Sequence, residues 1–146
     1  METATMNATD TVKAMYDAFA KGDIPAILEQ MPEHFTWQDP CDPSIVPYGG
    51  KFDGKTQMVN FFQQLGGSTD TTLWEVNEYI SEDDKVVAIG RHGFTCKKTG
   101  KKAISDFAMV WHFKNAEPAS GRSYYNSGDS ERAFQCFLCR HHTRPG

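Results

Sequence analysis

The first half of the chain carries apolar residues at the spacing of helices. This pattern predicts one helix over residues 9–20, a second over residues 23–32 and a third over residues 55–65, which ends at the pair Gly66–Gly67. Glycine ends a helix readily because it adopts the left-handed conformation at little cost. The sequence therefore predicts three N-terminal helices, each with one apolar face.

After the third helix the period changes from helical to alternating. Between the helices, Phe35–Gln38 predicts a short strand, and residues 39–54 predict an irregular loop because prolines and glycines are concentrated there. A short segment capped by Asp129 follows the last strand. The remaining predicted strands cover residues 74–80, 85–96, 102–114 and 122–126.

Helices followed by an antiparallel meander indicate an α+β fold with the helices on one face of the sheet. The 146 residues suffice for one domain with its own core. The apolar share of 39% and the charged share of 23% are typical of a globular protein. We expect the domain to span residues 9–135, between a flexible N-terminus (1–8) and a C-terminal tail (136–146).

Charge and hydropathy exclude several functions. The net charge is −4 and no basic stripe is present, so nucleic acid is not an expected partner. No apolar run approaches the ~20 residues that a membrane helix requires. The polar, acidic residues 1–10 do not resemble a signal peptide, and the four cysteines do not form a secreted framework. We therefore expect a cytoplasmic protein.

The carboxylate of Asp39 lies in an aromatic segment. It follows Phe35 and Trp37 and directly precedes Pro40. A carboxylate in apolar surroundings has a raised pKa, which makes it a useful proton carrier near neutral pH. Asp39 is therefore a candidate general base. The alternative is that Asp39 only forms a turn before Pro40.

The parity of the long strands yields further candidates. On the strand over residues 85–96, His92 shares a face with Gly90 and Phe94, so its imidazole is a candidate partner for Asp39 or a structural side chain. On the next strand, Phe107 and Met109 share the apolar face, whereas Asp106 could enter a pocket only through a bulge. The candidate ligand-binding residues are Tyr16, Trp37, Tyr48, Phe52, Phe62, Trp74, Phe94, Phe107, Met109 and Trp111.

Four segments of the chain have a distinctive order and spacing: Tyr16–Asp23, Phe35–Pro40, Pro47–Gly50 with Gly54, and Arg122–Asn126. In these segments the chain resembles the nuclear transport factor 2-like superfamily, and within it the SnoaL-like and ketosteroid-isomerase-like group. The resemblance implies a cone-shaped α+β barrel, an apolar small-molecule ligand, no cofactor and a homodimer formed through the outer face of the sheet. It also implies that Asp39 occupies the place of the proton-shuttling aspartate that precedes a proline in ketosteroid isomerases.

The chain departs from ketosteroid isomerases at both oxyanion donors. Met109 stands where those enzymes hold a protonated aspartate, and Tyr16 lies one residue away from their tyrosine. Since stabilisation of the oxyanion is usually the largest catalytic contribution, steroid isomerisation itself is not predicted.

The C-terminal tail has cysteine and histidine at metal-like spacing. Because the motif lies outside the fold pattern and lacks a second ligand pair, no metal is expected. Its residues are Cys136, Cys139, His141 and His142.

Two functions are compatible with these residues. The first is a cofactor-independent isomerase, cyclase or hydratase-like enzyme for a small apolar carbonyl or polyketide-like compound, with Asp39 as base and His92 as its partner or as the proton donor. The second is a non-catalytic module that binds a hydrophobic metabolite or dimerises.

Overall fold

The computed structural model describes residues 7–135, which contain four helices and one six-stranded sheet. The helices are α1 (Ala8–Lys21), α2 (Ile24–Glu29), α3 (Lys55–Ser68) and α4 (Ser127–Phe134). The strands are β1 (Thr36–Asp39), β2 (Gly50–Asp53), β3 (Thr69–Glu82), β4 (Lys85–Cys96), β5 (Lys102–Lys114) and β6 (Glu117–Tyr125). None of these helices has the length and hydropathy needed to cross a bilayer.

The order of the strands brings the first strand, β1, beside the last, β6. Across the sheet the order is β2-β1-β6-β5-β4-β3, and the four long strands form an antiparallel meander. Strand β1 pairs with β6 in parallel, with Trp37 opposite Gly121, and β2 closes this edge as an antiparallel partner of β1. Asp39, at the end of β1, therefore lies beside the C-terminal part of β6.

The sheet is curved and does not close. The register of β3 against β4 shifts twice, and the second shift leaves Asn77 as an extra residue opposite the bond between Gly90 and Ile89. Such a bulge bends the strand and increases its twist. Gly90 permits the close approach of β3 and β4 beside this bulge, because a Cβ at position 90 would lie 1.9 Å from the carbonyl oxygen of Glu75.

Helices α1, α2 and α3 pack on the concave face of the sheet and enclose the core. Asn7 caps α1 by accepting from the N–H of Asp10, and Gly22 ends α1 in the left-handed conformation. Asp23 caps α2 in the same way as Asn7 caps α1. The most deeply buried apolar side chains are Val12, Met15, Phe35, Val46, Met58 and Val86.

The predicted α+β architecture with N-terminal helices on a curved sheet is confirmed, and the limits of several elements differ. Strand β3, for example, runs from Thr69 to Glu82 rather than over residues 74–80. Helix α3 continues through Gly66–Gly67 to Ser68, because neither glycine adopts a positive φ. The segment predicted as a loop contains β2, which pairs with β1. Strand β6 begins at Glu117, five residues before the predicted start. Proline is unfavourable inside a regular strand, and Pro118 is accommodated here beside a register shift between β5 and β6.

Candidate active site

Two adjoining chambers of about 90 Å³ each lie between the helices and the concave face of the sheet. The first has a polar end, formed by Asp39, His92, Ser123 and Tyr125. The second is lined by apolar side chains and by the ring of Tyr16. The side chains that border both chambers are Phe19, Trp37, Phe61, Leu65, Trp74 and Met109.

Asp39 is a buried carboxylate, 6% exposed, at the wall of the first chamber. Its Oδ1 accepts a hydrogen bond of 2.8 Å from the hydroxyl of Tyr125 and one of 3.0 Å from the backbone N–H of Cys41. None of the ion pairs among the described residues includes Asp39. Burial raises the pKa of Asp39 from 3.8 to about 6, and the hydrogen bonds from Cys41 and Tyr125 oppose that rise.

The two oxygens of Asp39 differ. Both hydrogen bonds go to Oδ1, so Oδ2 accepts from no donor within residues 7–135. Oδ1 fixes the orientation of the carboxylate, and Oδ2 keeps its lone pairs for a ligand. This division is suitable for a general base, which has to be held in place and yet be able to accept a proton.

The inner face of the sheet presents its side chains in rows. In one row Met109 of β5 is opposite Ser123 of β6. On β1, Gln38 is opposite Arg122 of β6, so the next residue, Asp39, continues the row. In the next row Phe107 is opposite Tyr125. The pairing of β1 with β6 thus places the carboxylate of Asp39 next to the hydroxyl groups that the inner face of β6 carries.

His92 faces the first chamber from β4. Its imidazole stacks on the ring of Phe107 at 5.3 Å and meets the ring of Tyr125 edge-on at 4.9 Å. Burial lowers the pKa of His92 to about 4, so the imidazole is neutral at physiological pH. Tyr125 therefore contacts both predicted catalytic residues, Asp39 by a hydrogen bond and His92 through its ring.

Cys41 completes a chain of hydrogen bonds that ends at Asp39. Its Sγ lies 3.1 Å from the hydroxyl oxygen of Tyr125, and Tyr125 donates its only hydroxyl proton to Asp39, so the thiol is the donor. Burial raises the pKa of Cys41 to about 12. The side chain is consequently a neutral thiol that orients Tyr125, and it lacks the thiolate character of a nucleophile.

The predicted lining residues divide between the two chambers. The first chamber is bordered by Trp37, Tyr48, Trp74, Phe94 and Met109. The second is bordered by Tyr16, Trp37, Phe62, Trp74, Met109 and Trp111.

Phe52 and Phe107 border neither chamber. Phe52 packs edge-on against Phe61 at 5.2 Å, and Phe107 stacks beneath both Trp74 and His92. Phe52 is therefore a core residue. Phe107 packs against the rings of Trp74 and His92, which border the first chamber.

The hydroxyl group of Tyr16 is engaged within the protein. It accepts a hydrogen bond of 2.8 Å from Nε1 of Trp111 and donates to Sδ of Met109 at 3.1 Å. Burial raises the pKa of Tyr16 far above its ordinary value of 10, so the group stays neutral. Tyr16 thus offers a ligand its ring rather than a hydroxyl proton.

Asp106 does not belong to this site. Strand β5 pairs with β4 without a bulge at Asp106, whose side chain is 87% exposed and lies 3.4 Å from Nε of Arg91. The cysteines and histidines of residues 136–142 lie outside the described residues. Within residues 7–135, no three side chains of His, Cys, Asp or Glu are grouped as metal ligands would be.

Several residues of the first chamber are absent from the sequence-based set. Ser123 and Tyr125 both lie on the inner face of β6. The alternation of side chains along this strand is the signal that could have assigned them to the chamber. Others come from the helix faces and from the start of β3, where apolar periodicity does not distinguish residues that line a pocket from residues that pack in the core. These are Phe19, Phe61, Leu65, Thr69 and Thr71.

Met109 borders both chambers, and this position yields a testable prediction. Met109→Ala should join them into one larger cavity and lower the free energy of unfolding by about 2 kcal/mol. This is the lower end of the range for truncation of a core Met, because Met109 is only partly buried. We expect the variant to bind the bicyclic ketone 2-tetralone more tightly relative to cyclohexanone than the parent does. Isothermal calorimetry and urea unfolding measure the two effects. An unchanged preference for ligand size would contradict a dividing role for Met109.

The fold is shared with solved structures of nuclear transport factor 2-like proteins. Residues 12–118 match the SnoaL-like domain family, and the chain belongs to that family. No protein of curated function matches the sequence.

Solved structures with 19–22% sequence identity share the fold. A nuclear transport factor 2-like protein of unknown function from Burkholderia pseudomallei has a TM-score of 0.81 at 22% identity, over 90% of this chain and 100% of that one. TerC, co-crystallised with polyporic acid, has a TM-score of 0.77 at 21% identity, over 88% and 98%. A Pseudomonas putida protein provisionally named a polyketide cyclase has a TM-score of 0.73 at 19% identity, over 88% and 98%.

Proposed function

We propose that this protein is a cofactor-independent acid–base enzyme of the isomerase or cyclase type, which acts on a small apolar carbonyl compound. One observation carries the proposal: Asp39 is a buried carboxylate with one free oxygen, a pKa near 6 and no cationic partner among the described residues, at the wall of an apolar chamber. The name of the related Pseudomonas putida structure supports the same class of reaction.

Asp39 would act as the base in the first step. Its Oδ2 would remove a proton from the carbon next to the ligand carbonyl; the electron pair of the broken C–H bond would move to the carbonyl oxygen and give an enolate. If the ligand also carries a carbon–carbon double bond beside the carbon that loses its proton, the intermediate is a dienolate. Return of the proton from Asp39 to the γ-carbon of this dienolate would restore the carbonyl, shift the double bond and complete an isomerisation. A base with a pKa near 6 is largely ionised at pH 7 and still accepts a proton readily.

The neighbours of Asp39 would keep it in place without neutralising it. Tyr125 would remain a neutral hydrogen-bond donor, since burial first and the charge of Asp39 second raise its pKa above the ordinary value. His92 would stay neutral above pH 4 and so would not form an ion pair with the base. The apolar walls would exclude water from the reacting atoms.

The proposal is tested by the exchange of carbon-bound protons with solvent. The protein is incubated in D₂O with cyclohexanone, 2-tetralone and acetophenone, and the loss of the α-proton signals is followed by NMR. We expect exchange faster than in buffer for at least one ketone, with a rate that rises with pH around 6. Exchange at the buffer rate for all three would contradict an acid–base function.

The alternative is a non-catalytic binding module with the same cavity. Two observations favour this alternative. The chambers are small for a large ligand. The hydroxyl group of Tyr16 already forms hydrogen bonds within the protein, so it is not suited to stabilise an enolate. Binding of a ketone with no acceleration of exchange would support this alternative.

We further propose that the convex face of the sheet pairs two copies of the chain. Ile89, Ala108 and Val110 are only partly buried there, and Ile104 is 52% exposed. Contiguous apolar surface of this kind is typical of interfaces. Light scattering should give a dimer mass for the parent and a monomer mass for Val110→Glu, whereas Val59→Glu on α3 should remain dimeric. A monomeric parent would contradict the proposal.

A further inference from the structure

Two of the three buried side-chain polar atoms that lack a hydrogen-bond partner among the described residues belong to residues that border the first chamber. They are Nε1 of Trp37, in a side chain 6% exposed, and Oγ of Ser123, in a side chain 1% exposed. A buried donor without an acceptor is costly, and natural proteins leave few of them. Their presence at a cavity therefore points to an occupant that accepts hydrogen bonds.

Other buried donors of residues 7–135 have partners, with the exception of Ser130. The indole N–H of Trp111 donates to Tyr16, and the hydroxyl of Tyr125 donates to Asp39. Ser130, the third such group, belongs to α4 and borders neither chamber.

The positions of both side chains are determined by the sheet. Trp37 precedes Asp39 by two residues on β1, so both face the chamber, and its ring covers Gly121, where a Cβ would lie 2.6 Å from the indole. Ser123 is two residues further along β6, on the same face as Gly121. Both side chains therefore belong to residues that border the same chamber as Asp39.

We infer that Trp37 and Ser123 form a subsite for the carbonyl oxygen of a neutral ligand. Both groups are uncharged donors. Among the described residues that border this chamber, only Asp39 carries a charge, and its carboxylate would repel an anionic ligand. The catalytic meaning of this subsite rests on the proposed function: donors at the carbonyl oxygen would also stabilise the enolate that forms when Asp39 removes a proton.

The subsite is tested with two ligands of the same shape. Cyclohexanone carries the acceptor oxygen, and methylenecyclohexane carries a CH₂ group in its place. Both are titrated into ¹⁵N-labelled protein, and the indole N–H signal of Trp37 is assigned by its absence in Trp37→Phe. We expect cyclohexanone alone to move this signal downfield, as hydrogen bonding to the indole requires, and to bind about fivefold more tightly than its hydrocarbon analogue.

The variants separate the subsite from general packing. Ser123→Ala should lower the affinity for cyclohexanone about fivefold and leave that for methylenecyclohexane unchanged. Ser130→Ala is the matched control, since it removes a hydroxyl that is equally buried and unpaired but distant from the chamber, and it should alter neither affinity. Equal binding of the two ligands, an indole signal that ignores the ketone, or no binding of either ligand would overturn the inference.

The same experiment distinguishes this inference from the proposed enzyme. If cyclohexanone binds through Trp37 and Ser123 but its α-protons exchange at the buffer rate, the subsite stands and the enzyme is refuted. If exchange is accelerated but both variants leave binding and exchange unchanged, the enzyme stands and the subsite is refuted.

Discussion

Asp39→Asn should slow the exchange of α-protons by at least about a hundredfold while it makes the protein more stable at neutral pH. The loss of rate follows because an amide cannot accept the proton, and general acid–base catalysis contributes roughly 10²–10⁴-fold. Ketone binding should persist, since the substituted amide retains an oxygen that can accept from Tyr125 and Cys41 as Oδ1 of Asp39 does now.

The gain in stability follows from the pKa of the carboxyl group. Burial raises it from 3.8 in the unfolded chain to about 6 in the fold, so ionisation of Asp39 opposes folding. The protonated form is favoured in the fold: its contribution is fully present below pH 3.8 and is lost as the pH rises through 6. A rise of this size corresponds to about 3 kcal/mol at pH 7.5, which the neutral asparagine avoids.

Urea unfolding of the parent and of Asp39→Asn between pH 4 and pH 8 measures this effect. The difference in the free energy of unfolding should be small at pH 4 and should grow to its full value above pH 6.5. Asp53→Asn is the control, because it neutralises an exposed carboxylate on the neighbouring strand β2. A variant that is less stable than the parent at pH 7.5, or that exchanges α-protons at the parent rate, would contradict the role assigned to Asp39.

Tyr125→Phe should shift the pH dependence of exchange to higher pH by about one unit. Tyr125 donates to the ionised form of Asp39, and loss of a hydrogen bond to a charged group costs roughly 1.5 kcal/mol, which is about one unit in pKa. Activity at pH 6.5 should therefore fall several-fold and recover above pH 8. The recovery identifies Tyr125 as a positioning residue, since loss of a proton donor in the reaction would persist at every pH.

The neighbouring Tyr124 provides the control for this variant. It lies on the opposite face of β6, is 46% exposed and contacts Arg122 rather than the chamber. Tyr124→Phe removes the same hydroxyl group from the same strand and should leave the pH profile unchanged. An identical pH profile for Tyr125→Phe and the parent would show that the hydrogen bond to Asp39 does not tune the base.

The architecture could be predicted from the sequence because the long elements have strong periodicity. Alternation along β4 and β5 assigns His92 and Met109 to the inner face, and the structure has both there. The pair Gly66–Gly67 was misleading, since glycine permits a helix to end but does not require it. Strand β2 escaped prediction because its four residues gain their strand conformation from pairing with β1.

The arrangement around Asp39 could not be predicted in the same way. Its partner Tyr125 lies 86 residues further along the chain, and the two meet through the parallel pairing of β1 with β6. Periodicity reports which face a side chain occupies, but it does not report which strands are neighbours. The unpaired donors of Trp37 and Ser123 are likewise a property of the packed cavity, and no local pattern in the sequence identifies them.

The titration of Asp39 tests the central claim most directly. The protein is labelled with ¹³C at the carboxyl carbon of aspartate, the signal of residue 39 is assigned by its loss in Asp39→Asn, and its chemical shift is followed from pH 3 to pH 9. A buried base at the chamber wall should titrate with a midpoint near pH 6. A midpoint near 3.8, the ordinary value for an aspartate in water, would show that the carboxylate is hydrated and is not the base proposed here.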